Sequence, residues 1–249
     1  SLAQEGYWIP KNPTIYNYQV LFLGGRTWWG AATKTTEEFL LTIRNSILIS
    51  LSTAMAVVLI SSPAAYAITR FRFPLRDKLI ILFLGTRAIP FVALVIPLFI
   101  LMSAIKLTDT LVGLIIIYTS VLLPFNIFIL TGAFDSVPRD LDSAALVDGC
   151  SWLGALFRVV LPCAMPGIVA SVIYSFIAAW NSFFIPIIFT HSIEAKPFLV
   201  TIGEMITEVD VDYTLMSAGG VFGAIIPIIL ALIFQKYVVK GIAAGAVKR

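Results

Sequence analysis

Residues 45–69 read NSILISLSTAMAVVLISSPAAYAIT and are followed at once by RFRFPLRDK, residues 70–78. The first stretch carries no Asp, Glu, Lys or Arg, whereas the second gathers Arg70, Arg72, Arg76 and Lys78 around Asp77. A helix needs about 20 mostly apolar residues to cross a hydrocarbon core of about 30 Å. Residues 45–69 therefore read as a membrane span and 70–78 as the basic loop that ends it. Lys and Arg accumulate in short cytoplasmic loops, which assigns residues 70–78 to the inside.

Working outward, the rest of the chain repeats this pattern. Of its 249 residues 59% are hydrophobic and 12% charged, against roughly 45–50% and about 25% in soluble domains, and the mean hydropathy is +0.96. Further apolar windows cover residues 79–105, interrupted only by Arg87, and residues 110–134 and 213–235. A charge-free run at 159–193 is broken near its start by Pro162, Pro166 and Gly167, which places its spanning part at 168–190. The expectation is an all-α membrane protein with five transmembrane helices in this chain.

Charge bookkeeping orients them. The tail brings Lys236, Lys240, Lys248 and Arg249 to the cytoplasm. Parity then puts 106–109 outside, 135–166 inside and 191–212 outside, with residues 1–44 an extracytoplasmic segment before a permease domain at 45–249. An external start of that length needs a means of export, so a further helix before Ser1 is expected, six in the complete protein.

Several function classes fall away. A net charge of +3 from 17 basic and 14 acidic residues gives no nucleic-acid surface. Cys150, Cys163 and the lone His191 offer neither a disulfide framework nor zinc-ligand spacing. No Gly-x-x-x-x-Gly-Lys-Ser/Thr phosphate loop and no nucleophile–base set occurs, so no catalytic or metal-ligating residue is assigned.

The segment 135–166 is too long for a simple connector, and it carries helix punctuation. Pro138 stands at a first turn, Asp140 and Asp142 favour the helix dipole, Ala144 and Ala145 are strong helix formers, and Gly149 is a stop. Ser151 then caps a second short helix through Trp152, Leu153, Leu156 and Phe157 to Pro162. Two short helices at a bend form a knob suited to a groove on another protein.

These residues resemble a known family. Ser143-Ala144-Ala145-Leu146-Val147-Asp148-Gly149-Cys150, followed by Phe157-Arg158-Val159-Val160-Leu161-Pro162 and Pro166-Gly167, is similar to the EAA loop of ABC importer membrane subunits, in their carbohydrate (maltose-type) permease branch. Ala64-Ala65-Tyr66-Ala67 before Arg70-Phe71-Arg72-Phe73-Pro74, Ala179-Trp180-Asn181 and the tail 241–248 match the same branch. The resemblance implies a type I ABC importer permease fold that imports carbohydrate by alternating access. It implies a second permease subunit, two ATP-binding subunits that carry ATP and Mg, and an extracytoplasmic solute-binding protein. Asp142, Ser143, Ala144, Ala145, Asp148 and Gly149 would then form the coupling contact with the ATPase. Ser143 stands where the family's motif opens with glutamate, with Asp142 one position earlier. The location implied is a bacterial or archaeal inner membrane, multi-pass in lipid, with the C-terminus cytoplasmic.

Individual residues keep two readings each. Arg87 either snorkels to the interface or faces the translocation path. Asn181 either makes an interhelical hydrogen bond or, with Trp180, meets a sugar hydroxyl. Pro90, Pro97, Pro124 and Pro186 read as tolerated kinks, and Ser217, Ala218, Gly219, Gly220 and Gly223 as a close-packing face. The outer loop, with Glu194, Pro197, Glu204, Thr207, Glu208, Asp210 and Asp212, is either a solvated surface or the binding-protein contact. The rival to an ATP-driven permease is an ion-coupled secondary transporter, which would bury carboxylates in its spans; all 14 acidic residues fall outside the five windows. A membrane scaffold is the third alternative.

Overall fold

The computed structural model describes residues 14–24, 36–204 and 213–246, the side chains of 36–37 and 236–246 excepted. The described residues are helical with short connections. The elements are α1 (Tyr16–Leu23), α2 (Thr36–Arg70), α3 (Arg76–Thr86), α4 (Phe91–Ala104), α5 (Leu111–Asp135), α6 (Arg139–Val147), α7 (Trp152–Ala155), a π-helical turn (Leu156–Val160), α8 (Leu161–Cys163), α9 (Met165–Trp180), α10 (Phe184–Phe189), α11 (Phe198–Gly203) and α12 (Tyr213–Ala246).

Three helices are long and apolar enough to cross a membrane unbroken: Glu38–Arg70 within α2, Leu111–Asp135 and Tyr213–Gln235. Two bent helix pairs bring the number of candidate spans to five if each pair counts as one. The window at 79–105 breaks between α3 and α4, which meet at 91°, and the rod Trp152–Cys163 meets α9 at 85°. The second bend falls where Pro162, Pro166 and Gly167 were expected to break the run, whereas the first, and a separate stop after Trp180, correct two spans expected to be continuous. Residues 79–105 break because Pro90 has no N–H to give and its ring pushes Ile89 out of helical geometry. Residues 168–190 divide because α9 stops at Trp180 and the chain resumes as α10, with Asn181 and Ser182, poor helix formers, between them.

The long helix α2 is the spine, packing chiefly on α5 and α9. Some of its buried hydroxyls return their hydrogens to carbonyls one turn back, as Thr69 Oγ1 does to Ala65 O at 3.0 Å and Ser62 Oγ to Val58 O at 2.6 Å. Between α5 and α9 the glue is polar. Asn126 Oδ1 accepts from Ser171 Oγ at 2.5 Å and from Ser175 Oγ at 3.2 Å, all three side chains being buried. An interhelical bond, one of the two readings given for Asn181, is thus made by Asn126, while the Asn181 side chain is exposed.

Three apolar clusters stack along the bundle. Ile49, Val57, Leu114, Ile117, Tyr118 and Phe189 fill the middle. Tyr66, Leu130, Phe134, Val137, Leu156 and Val160 fill the end where α6 and the π-helical turn sit. At the opposite end Val20, Leu21, Phe39, Trp180, Phe198 and Leu215 pack together. That last cluster includes α1, a short helix inside the expected extracytoplasmic segment 1–44 that the sequence reading did not propose.

Of the three unbroken spans α12 is the least covered: 11% of its apolar window is buried inside this chain, against 39% for α2 and 44% for α5. Its covered edge uses small residues as expected. A Cβ added to Gly219 would lie 2.8 Å from Ile202 Cδ1 and one added to Gly223 would lie 2.7 Å from the Phe198 ring. Gly220, by contrast, faces open space.

Candidate functional site

The knob forms where its punctuation places it. Pro138 caps α6 with extended ψ of 135°, Gly149 turns the chain at φ +87°, and Ser151 Oγ accepts from Gly154 N at 3.1 Å to start α7. A non-glycine residue rarely adopts that positive φ, which is why the bend needs Gly149. The π-helical turn was not foreseen. It widens the rod just before Pro162, where the ring would otherwise crowd the preceding turn.

The knob is locked to α2 by charge. Arg70 Nε lies 2.7 Å from Asp142 Oδ2, the two side chains being 3% and 5% exposed, and Tyr66 Oη donates to Asp142 Oδ1 at 2.8 Å. Arg70 also donates to Val137 O at 3.0 Å, and Arg139 donates back to Thr69 O at 2.7 Å. Asp142 lies in the first turn of α6, as its dipole role requires, but where it was expected to face a partner the structure turns it inward. An ionised group leaving water needs an opposite charge, and Arg70 supplies it.

The remaining coupling candidates divide. Ser143, Ala144, Asp148 and Gly149 are exposed, whereas Ala145 is 6% exposed and packs into the knob's own base. The open surface beside them is apolar: Val147 is 88% exposed, Leu153 60% and Phe157 51%. These three were missed as site residues, although apolar side chains in a segment outside every span were the available signal.

Arg87 marks a second site. It follows α3 at the break before Pro90, and its guanidinium turns onto the middle of α5 and α9. One terminal nitrogen donates to Tyr174 Oη at 2.6 Å, and the guanidinium carbon stands 5.0 Å from the Phe125 ring centre. Phe125 and Tyr174 pack against each other at 4.9 Å, so the arginine rests on an aromatic pair. The structure does not bring Trp180 to this place. Its indole is 2% exposed, lies 4.7 Å from Phe198 and donates Nε1–H to Gly223 O at 3.0 Å.

At the opposite end from the knob, the loop after α10 is clasped by two side chains. Asn45 Nδ2 donates toward the carbonyls of Ile193, Glu194 and Lys196 at 3.1, 2.9 and 3.1 Å. Asp109 Oδ1 accepts from the backbone of His191 at 2.7 Å and of Ser192 at 2.9 Å. Partial burial pushes the Asp109 carboxyl up, but those amide hydrogens, the Ser192 hydroxyl and the nearby imidazole outweigh it and hold the group below its ordinary value. Of the loop candidates, Glu194 is exposed, Pro197 is buried as the cap of α11, and Glu204 accepts from Lys196 Nζ at 2.6 Å. Thr207, Glu208, Asp210 and Asp212 lie outside the described residues.

A knob on a helical spine beside broken spans defines a class, and comparison gives it a family. Residues 57–244 match the model of the binding-protein-dependent transport system inner membrane component. The chain belongs to this family. It is 34% identical to the sulfoquinovosyl glycerol transport system permease protein SmoH of Agrobacterium fabrum, over 97% of this chain and 80% of that one. It is also 34% identical to the trehalose transport system permease protein SugB of Mycobacterium tuberculosis, over 100% and 87%. Among solved structures, a bacterial ABC transporter involved in import of the acidic polysaccharide alginate superposes with a TM-score of 0.69 at 21% identity, over 90% of this chain and 89% of that one. The fold is that of type I importer permeases, and the protein is a multi-pass inner-membrane transport subunit rather than an enzyme.

Proposed function

We propose that the chain carries a carbohydrate across the membrane by alternating access, receiving it from an extracytoplasmic binding protein. It pairs with a second permease subunit on the face that includes α12, with lipid covering the remainder. Two ATP-binding subunits, which hold the ATP and Mg, dock on the knob through Ser143, Ala144, Asp148 and Gly149 together with the apolar Val147, Leu153 and Phe157. In this reading the knob and the C-terminus are cytoplasmic, Arg87 borders the substrate path, and the loop with Glu194, Glu204 and Thr207 meets the binding protein.

The observation that carries the reading is the lock between Asp142 and Arg70 with Tyr66. Because the knob is fastened to α2, and α2 packs on α5 and α9, a push on the knob reaches the helices that would line a path. Sugar as substrate rests on permease relatives whose names specify sulfoquinovosyl glycerol and trehalose. No finding favours ion coupling: Asp142 is the only buried carboxylate residue among those described, and Arg70 neutralises it.

The test is purification from the native membrane with its neighbours, then reconstitution in liposomes with the binding protein. Recovery of an ATPase and a second permease, with ATP-dependent uptake of a sugar, is expected. Sugar uptake driven by an ion gradient without ATP would overturn the proposal.

A further inference from the structure

The broken span places an arginine where a membrane protein has strong reason not to have one. Phe125 is near the middle of α5 (Leu111–Asp135) and Tyr174 near the middle of α9 (Met165–Trp180), so the group resting on both stands at mid-height of those two helices, on their open side. A snorkelling arginine would extend toward a helix end and the headgroups. Arg87 does the opposite, being turned onto two mid-helix aromatic side chains.

Its charge is unanswered among the described residues. Among the described residues no Asp or Glu forms an ion pair with Arg87, whereas the buried Arg70 at the knob has Asp142 at 2.7 Å. A guanidinium has five N–H donors. Tyr174 takes one of them, and by accepting it leaves its own hydroxyl hydrogen directed elsewhere. Arg87 itself is exposed. The place therefore offers an open planar fork of donors, a hydroxyl donor beside it, and the ring of Phe125 with Phe128 stacked on it at 6.2 Å. A planar fork binds carboxylate, sulfonate or phosphate oxygens in pairs, and an aromatic face suits the C–H side of a pyranose ring. A neutral sugar would leave this intramembrane-height charge without a counter-ion.

We propose that the carbohydrate carried is anionic, and that Arg87, with Tyr174 beside it, reads the acidic group during passage. This rests on the carbohydrate reading above and narrows its substrate class. Arg87 is held ready by the backbone break before Pro90, which brings its side chain off the helix rod and onto α5 and α9.

The test uses the whole reconstituted transporter with its binding protein. Uptake is measured for a panel of glucuronosides and sulfonated glycosides against the matching neutral glucosides, in wild type, Arg87→Gln and Arg87→Lys. The expected result is uptake of anionic glycosides, cut about tenfold or more by Arg87→Gln, chiefly through a raised KM, and partly kept by Arg87→Lys. Retention of the second permease and of the ATPase should be the same in all three. Uptake of neutral glycosides alone would overturn this inference and leave the carbohydrate reading standing. Uptake of neither kind would remove the carbohydrate reading itself. Wild-type anionic uptake by Arg87→Gln, or loss of the second permease from that variant, would also overturn the inference, the latter by assigning Arg87 to assembly.

Discussion

Arg70 and Asp142, 72 positions apart in the sequence, meet at 2.7 Å with both side chains withdrawn from solvent, and their ion pair fixes the angle between the knob and the spine helix. Removing one member of such a pair strands a buried charge, at a cost of about 3–5 kcal/mol. Asp142→Asn and Arg70→Met are therefore expected to lower the apparent Tm in detergent sharply. The double variant Arg70→Met/Asp142→Leu should recover much of the loss, because no lone charge remains. Ser143→Ala, on an exposed side chain, should leave the Tm unchanged. Equal Tm values for Asp142→Asn and Ser143→Ala would refute this account of the knob.

Docking and knob integrity can be separated by neighbouring alanines. Ala144 is exposed and Ala145 is packed against the knob's base. Ala144→Trp is expected to reduce the ATPase that co-purifies while sparing the Tm, whereas Ala145→Trp should lower both, since overpacking costs about 1–3 kcal/mol. Quantifying the retained ATPase by gel and the Tm by calorimetry distinguishes the two.

Gly149 turns at φ +87° with open space where a Cβ would be. The penalty for Gly149→Val is thus conformational, about 1–2 kcal/mol, and not a clash. Gly149→Asn, which tolerates that conformation better, should retain more coupled ATP hydrolysis than Gly149→Val. Identical coupling in both would show that the turn is not held at this φ.

The clasp at Asp109 makes an acid-side prediction. Its carboxyl is held below the ordinary value in the folded chain, so the unfolded chain binds the extra proton first. The stability it contributes is fully present above the unfolded value of about 3.9 and is lost as pH falls through the lower folded value. Asp109→Asn should remove that part of the slope of Tm against pH below about pH 4. A slope in this variant indistinguishable from wild type would exclude the clasp as its source.

Trp180 and Gly223 test the packing of α12. Trp180→Phe leaves Gly223 O without its donor and should cost about 1–3 kcal/mol. Gly223→Ala would put a methyl 2.7 Å from the Phe198 ring and force α12 away. Both should lower the Tm, and a cysteine pair bridging α11 and α12 should form less readily in Gly223→Ala.

What the sequence disclosed was whatever depends on near neighbours. Pro138, Gly149 and Ser151 punctuate the knob within a few residues of the bonds they make, and apolar windows need only composition. Partners distant in the chain were hidden. Asp142 reads as a helix-dipole and coupling residue until Arg70 and Tyr66 are folded against it, and Trp180 reads as a candidate sugar contact until Gly223 and Phe198 turn it inward. The break at Arg87 was hidden differently. Pro63, Pro97, Pro124 and Pro227 all sit inside continuous helices, so a proline in an apolar window does not by itself announce an interruption. At Asn181 the polar residue was noticed, but the interhelical bond belongs to Asn126, whose serine partners lie on α9.

Asn45 and Arg70 stand on one continuous helix, 25 residues and so about 37 Å apart. The first grips the loop at one end of the molecule and the second grips the knob at the other. Such a helix behaves as a see-saw beam with a load fixed at each end. A tilt of about 5° about its midpoint moves the two loads by about 1.6 Å each, in opposite directions. Neither surface can then be displaced alone, and opening at one mouth is geometrically tied to closing at the other.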